Sequence, residues 1–169
     1  MFDTEIQGLR KLIANAQGYC NRHGYDSSAA DVFIDQRCRR YLDIVIPLVA
    51  AKPEIYDLLV KERPSLGPYI KEQVNQHMAS APSVQEVETQ LVTILDDMKK
   101  RGFTKTGSFD IGDVASVQIL LNRYGFAQEL LYAIRKVRPE LFNVVLNLYD
   151  MRLNAAQTVD EPVHDARDR

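Results

Sequence analysis

Cys20 and His23 stand three apart, a spacing that puts both on one face of a helix, and Cys38 and His77 are the groups that would complete a four-ligand zinc site. Structural zinc sites gather their ligands in tight pairs, and these four are scattered along the chain. His23 has a simpler role in the last turn of a helix, where positive charge meets the negative end of the dipole. The third histidine, His164, lies in a polar tail. A carboxylate-bridged metal bundle needs repeated Glu-x-x-His pairs, and the sequence contains none. No metal ligand set and no cofactor are assigned.

Asp31 and Asp35 are four apart, the spacing at which two carboxylates on one helix face divide acid and base roles. A solvated helix face accounts for them without chemistry. The chain has no Gly-rich phosphate loop ending in Lys-Ser or Lys-Thr and no dinucleotide fingerprint. It also lacks a Gly-x-Ser-x-Gly elbow and a His-Glu-x-x-His pair. No catalytic residue is assigned, and the expectation is a protein that is not an enzyme.

Two basic clusters carry the next chemistry. Arg37, Arg39 and Arg40 adjoin Tyr41, while Lys99, Lys100, Arg101 and Lys105 flank Phe103. Cations beside aromatic rings are what a strand of unpaired nucleotides requires, for phosphate pairing and base stacking. Each cluster also has a structural account. Lys99 to Arg101 suit a helix C-terminus with Asp96 and Asp97 one turn back, and Arg37 and Arg40 lie within a turn of Asp35 or Asp43. Nucleic-acid binding through Arg37, Arg39, Arg40, Lys99, Lys100 and Arg101 is therefore the alternative reading.

The first reading is a protein-protein interaction module, an adaptor, regulator or chaperone whose surface is its function. Its candidate contacts are Tyr56 and Phe142, aromatic residues near helix starts, and Lys105 and Phe109 in the longest internal loop, Thr104 to Gly112. Tyr56 also fits a buried face formed with Ile55, Leu58 and Leu59, and polar residues in a loop are common without any site. The expected partner is another protein, with self-association a second partner class.

Charge and composition agree with that choice. The 169 residues carry 21 basic and 23 acidic side chains, so no global field draws the chain to nucleic acid or an anionic membrane. The first residues lack the basic-then-apolar order of a secretion signal. The apolar run from Ile44 to Ala51 is interrupted by Pro47 and is too short to span a bilayer. No membrane contact is expected, and the location read from these features is cytoplasmic. Cys20 and Cys38 occupy apolar-face positions, where free cysteine is commonly buried, and a disulfide between them is not required.

The elements that must position these groups are helices. Ile6, Leu9, Leu12, Ile13, Ala16, Tyr19 and Cys20 recur at three and four and predict a first helix ending at Arg22, His23 and Gly24. Ser27 or Ser28 caps a second, which Pro47 kinks or breaks near Ile46. Pro53 opens a third, Pro68 a fourth and Ser83 a fifth. A sixth runs from about Asp113 to Asn122 or through to Val137, and Pro139 opens the last, to about Ala155. No stretch alternates with period two over a strand's length, so the fold class is all-α, with about seven short helices.

The chain also repeats a phrase. Lys52-Pro53-Glu54-Ile55-Tyr56 returns 86 positions later as Arg138-Pro139-Glu140-Leu141-Phe142, and upstream residues such as Ile6, Leu9 and Ile13 match Val84, Val87 and Leu91 at an offset of 78. This reads as two similar three-helix units, either an internal duplication or two amphipathic units that look alike. They would pack as one compact globule or a short solenoid. The boundaries are a first unit at 1–80, a second at 81–157 and a disordered tail at 158–169.

Overall fold

The computed structural model describes residues 2–102, 105–106 and 109–159, and for Lys105, Thr106, Phe109, Asp110 and Ile111 it defines the backbone alone. The described residues form eight α-helices. They are α1 (Asp3–Arg22), α2 (Ser27–Ala51), α3 (Glu54–Glu62), α4 (Gly67–Ser80), α5 (Val84–Lys100), α6 (Ile111–Tyr124), α7 (Gln128–Val137) and α8 (Phe142–Ala156). Two 3-10 turns, Pro64–Leu66 and Pro139–Leu141, lead into α4 and α8. The only extended pairing among the described residues is a two-residue ladder, β1 (Lys105–Thr106) antiparallel to β2 (Phe109–Asp110). The fold is all-α, with eight helices in place of about seven. The added boundary is at Gly125, whose positive φ of 63° stops α6 in a left-handed turn that glycine adopts without steric cost.

The chain divides into two compact units. One holds Met1–Asn75 together with the chain from Met151 onward, and the other holds Gln76–Asp150. The sequence-based boundaries at 80/81 and 157/158 differ from this division because the end of α8 returns to α1. The Asn15 amide donates to the Gln157 carbonyl at 3.2 Å, and the Val159 side chain is buried.

In the first unit, α1 and α2 form a helical hairpin joined by His23 to Asp26. The amide of Tyr25 bonds the Cys20 carbonyl at 3.0 Å and that of Gly24 bonds Asn21, the paired pattern that closes a helix on a left-handed residue, here Gly24 at φ 69°. Asp26 then caps α2 by accepting from the Ala29 amide at 2.8 Å. Leu9, Leu12, Ala16 and Cys20 of α1 are buried, as are Ile34, Cys38, Tyr41, Leu42 and Val45 of α2 and Ile55 and Leu59 of α3. Burial of a large aliphatic side chain is worth about 1.5–3 kcal/mol, so this apolar interior is what holds the unit. Pro47 lies inside α2 without breaking it, and the helix runs on to Ala51. The lost amide leaves the Asp43 carbonyl without its helical donor, a defect a long helix tolerates when its neighbours are packed.

Asp31 keeps an exposed side chain, as a solvated face requires, while Asp35 is partly buried in a lock. Arg63 donates through Nε to Asp35 Oδ1 at 2.6 Å, the Ser65 hydroxyl donates to the same oxygen at 3.0 Å, and Arg63 Nη2 lies 3.6 Å from Asp31. Arg63 precedes Pro64, which forces it into an extended conformation (φ −156°, ψ 95°), so that its side chain reaches back to α2.

In the second unit α5 packs on both α6 and α7. Val87, Leu91, Val117, Leu120, Leu130, Ala133 and Ile134 are buried. Ser83 caps α5 by accepting from the Glu86 amide at 3.0 Å. Buried Ser116 is satisfied by donating to the Gly112 carbonyl one turn back at 2.7 Å. Arg138, also extended before a proline (φ −149°, ψ 77°), donates to Asp113 Oδ2 at 3.0 Å.

Apart from the β1–β2 ladder between α5 and α6, the element order of α1 to α4 is that of α5 to α8: three helices, a 3-10 turn opened by Arg-Pro, then a fourth helix. Buried positions follow at a constant separation of 75. Leu12, Ala16, Leu42, Val45, Ile46, Ile55, Leu59, Leu66 and Ile70 answer to Val87, Leu91, Val117, Leu120, Leu121, Leu130, Ile134, Leu141 and Val145. This separation differs from the offsets of 78 and 86 and runs through four helices. Pro139 corresponds to Pro64, which opens a 3-10 turn, and not to Pro53, which precedes α3 directly. Both settings accept proline's fixed φ, so the phrase marks a helical start without saying which.

Candidate functional site

The tip of the α1–α2 hairpin carries four planar groups in successive contact. The His23 ring lies 4.1 Å from the Tyr19 ring, Tyr19 stacks on Phe33 at 4.9 Å with 6° between planes, and the Arg37 guanidinium lies 4.8 Å over Phe33. Tyr25 stands edge-on to Tyr19 and Phe33, at 6.2 and 5.6 Å. The local sequence dictates this geometry. Tyr19 and His23 are four apart on α1, Phe33 and Arg37 are four apart on α2, and the turn through Gly24 brings the two pairs face to face.

Part of this cluster faces solvent. Tyr25 is 39% exposed and Val32, which precedes Phe33 on α2, is 57% exposed, while Tyr19, Phe33 and Arg37 are half-buried. Arg37 has no ion-pair partner among the described residues, since the carboxylate of Asp35 is taken up by Arg63. Aromatic residues and arginine in contact, partly desolvated, are the composition of protein-protein contact centres.

The remaining candidates are placed as follows. Tyr56 is half-buried on α3 with the Lys71 ammonium 5.5 Å over its ring and its hydroxyl above Gly67. Phe142 begins α8, half-buried under the Arg135 guanidinium at 4.5 Å. Tyr56 and Phe142 belong to different units. The side chains of Lys105 and Phe109 lie outside the described residues. Arg39 stacks over Tyr69 at 5.0 Å, and Arg40 is exposed. Lys100 and Arg101 sit 3.3 and 3.6 Å from Asp96 and Asp97 on an exposed stretch of α5, and Lys99 is exposed beside them. Of the six basic candidates, only Arg37 joins an aromatic cluster open to solvent.

Tyr19, His23, Tyr25 and Phe33 are the members the sequence reading passed over. Their signal is two aromatic-cation pairs of spacing four on either side of a glycine turn, which is indistinguishable from a core stripe until exposure is known.

Groups with shifted titration mark packing. Burial raises the Cys38 thiol to about 12 and raises Cys20 as well, while burial, then the hydrogen bond to Asp43, raises Tyr69 to about 12. Both cysteines are free and buried. Among the described residues no three His, Cys, Asp or Glu side chains gather closely enough to hold a metal ion. A groove of about 460 Å³ lies between the first turns of α1 and the start of α3, lined by Phe2, Ile6 and Leu58 with Asp3, Gln7, Arg10 and Glu54. It is open, and Arg10 is held by Glu62 at 2.8 Å. Among the described residues no helix is long and apolar enough to cross a membrane.

The class these features define is an all-α protein of two units with an aromatic-cationic hairpin tip. No protein-family model, curated protein or solved structure matches the chain.

Proposed function

We propose that this chain is a non-enzymatic protein-protein interaction module, an adaptor or regulator, that docks a partner protein on the tip of the α1–α2 hairpin. The observation that carries the reading is that the fold does not need the aromatic stack. In the 75-residue register Tyr19, His23, Phe33 and Arg37 answer to Ile94, Met98, Ser108 and Gly112, none of them aromatic or charged. The second run of the same elements is built without it. That register also supports reading the chain as an internal duplication in which only the first copy bears the tip. The stack sits on the first turns of α2, and α6 begins at Ile111, the counterpart of residue 36, so those turns have no helical counterpart.

The nucleic-acid reading is weaker on geometry. Tyr19 is already in contact with the rings of His23 and Phe33, and Phe33 with Tyr19 and the Arg37 guanidinium, which reduces the ring surface left for a base to stack on. Lys100 and Arg101 are paired with carboxylates of their own helix.

The test is a comparison of proteins cross-linked to the full chain and to a Tyr25→Ser/Val32→Ser variant, whose exposed substitutions leave the interior intact. A partner retained by the native chain and reduced about tenfold by the variant is the expected result. Equal retention of every partner by both would overturn the reading.

A further inference from the structure

We propose that the recognition group of the tip is Arg37 and that the docking segment of the partner is acidic, delivering a carboxylate to the Arg37 guanidinium. The inference rests on the tip being the docking surface and adds the chemistry of what docks.

Arg37 differs from the arginines that hold the fold. Arg10, Arg63, Arg101 and Arg138 each have a carboxylate within 4.0 Å, at 2.8, 2.6, 3.6 and 3.0 Å. Among the described residues Arg37 has the face of Phe33 at 4.8 Å and no carboxylate within 4.0 Å, a setting shared by Arg39 over Tyr69 and Arg135 over Phe142, and of these three Arg37 is the one in the aromatic cluster of the tip. Stacking fixes the plane of a guanidinium and leaves its in-plane N–H groups free to form the two parallel hydrogen bonds that match a carboxylate. Because Arg37 is half-buried, such a pair forms in a medium less polar than water, where it is stronger than on an open surface.

The surroundings favour an anion. Arg40, three residues on, is exposed and adds positive charge, while the nearest carboxylates on the same helix, Asp31 and Asp35, face Arg63. A peptide carboxylate fits better than a nucleic-acid phosphate because the adjacent rings are already engaged with one another and with Arg37, which leaves little ring surface for a base. Tyr25, 39% exposed and 5.6 Å from the Phe33 ring that Arg37 covers, and exposed Val32, next to Phe33 in sequence, offer apolar contacts to such a segment.

The experiment is an NMR titration of the full chain at low salt with a hexaglutamate peptide and, separately, with a hexathymidylate oligonucleotide. Hexaglutamate should shift the Arg37 side-chain N–H and the Tyr25 and Phe33 signals saturably. Arg37→Gln should weaken this at least about tenfold, and Arg37→Lys should weaken it nearly as much, since lysine keeps the charge but not the planar fork. Backbone spectra of both variants report whether the fold is retained. Hexaglutamate shifts that survive Arg37→Gln, shifts from hexathymidylate alone, or no shift from either would overturn the inference. The two proposals fail separately: a cross-linked partner lost with Tyr25→Ser/Val32→Ser but kept with Arg37→Gln leaves docking standing and removes the acidic segment.

Discussion

The Tyr41 hydroxyl donates to the Glu5 carbonyl at 2.7 Å, a bond from α2 into the backbone of α1 that passes over Gly8. A Cβ at position 8 would collide with that hydroxyl and would stand 2.8 Å from Gln157 Nε2. Glycine in the middle of a helix is ordinarily a weakness of about 1 kcal/mol relative to alanine. Here the contact reverses the sign. Gly8→Ala is expected to destabilise the protein by about 1–3 kcal/mol, the cost of overpacking, in urea unfolding. A gain in stability would show that Tyr41 yields freely and that the bond holds nothing in place. Tyr41→Phe, which removes the donor and leaves the Glu5 carbonyl its helical partner Leu9, should cost only about 1 kcal/mol.

Arg63 and Arg138 tie equivalent turns to equivalent helices but from different depths. The side chains of Arg63 and Asp35 are 18% and 23% exposed, and those of Arg138 and Asp113 36% and 15%. Hydrogen bonds to charged groups gain strength with burial, at about 1.5–3 kcal/mol each. Arg63→Gln is therefore expected to cost about 2 kcal/mol or more, and Arg138→Gln about 1 kcal/mol. Amide exchange read separately in α2 and α6 checks the ranking. Equal loss of protection in the two helices would mean that exposure does not set the strength of these locks.

These two relationships also show what the sequence conveys and what it withholds. Helix starts are legible where a cap is local chemistry, as at Ser83, although the cap of α2 falls on Asp26 and not on Ser27 or Ser28, and the stripe Leu9, Leu12, Ala16, Cys20 announces its buried face by spacing alone. The role of Asp35 is not legible, because its partner lies 28 residues away and the link depends on the conformation Pro64 imposes. The ladder at Lys105 to Asp110 escapes notice because two-residue strands show no alternation, although Gly107-Ser108 is a dipeptide suited to a two-residue hairpin loop. The register of 75 is hidden by proline, which recurs at Pro53, Pro64 and Pro139 in two kinds of turn. The tip is not legible from spacing. Phe33 reads as one more apolar residue until the hairpin sets it against Tyr19 at a half-open edge.

Tyr69 makes the fold sensitive to alkali. Its hydroxyl donates to Asp43, and burial followed by that hydrogen bond raises it from the ordinary value of 10.0 to about 12. A tyrosine whose folded value lies above its unfolded value contributes stability that is complete below the unfolded value and lost as pH rises through the folded one. Stability should therefore fall between about pH 10 and pH 12, and Tyr69→Phe should remove part of that fall while lowering stability at neutral pH. Burial raises Tyr41 in the same direction, so tyrosinate absorbance should show at least two of the eight tyrosines titrating late. Titration of all eight near the ordinary value in the folded protein would contradict the packing of both.

Cys20 and Cys38 offer the last check, on the interior of the first unit itself. Both thiols are fully buried, and burial raises each, Cys38 to about 12, with the Asp35 charge adding to the shift and Arg63 opposing it. The thiolate is the reactive form, so two barriers stand in series: exclusion of the reagent and scarcity of thiolate at neutral pH. Neither cysteine should react with a charged disulfide reagent in the native protein, and both should react once urea unfolds it. Labelling should then follow the population of opened molecules, which makes its rate a probe of local stability. The Arg63→Gln variant sharpens the measurement. Releasing the turn at Pro64 from α2 should speed labelling of Cys38, which lies one turn beyond Asp35, with a smaller effect on Cys20 in α1. If the two thiols accelerate together, the unit opens as a whole. If Cys38 leads, the Arg63 lock secures α2 locally and the hairpin tip rests on a base that remains closed.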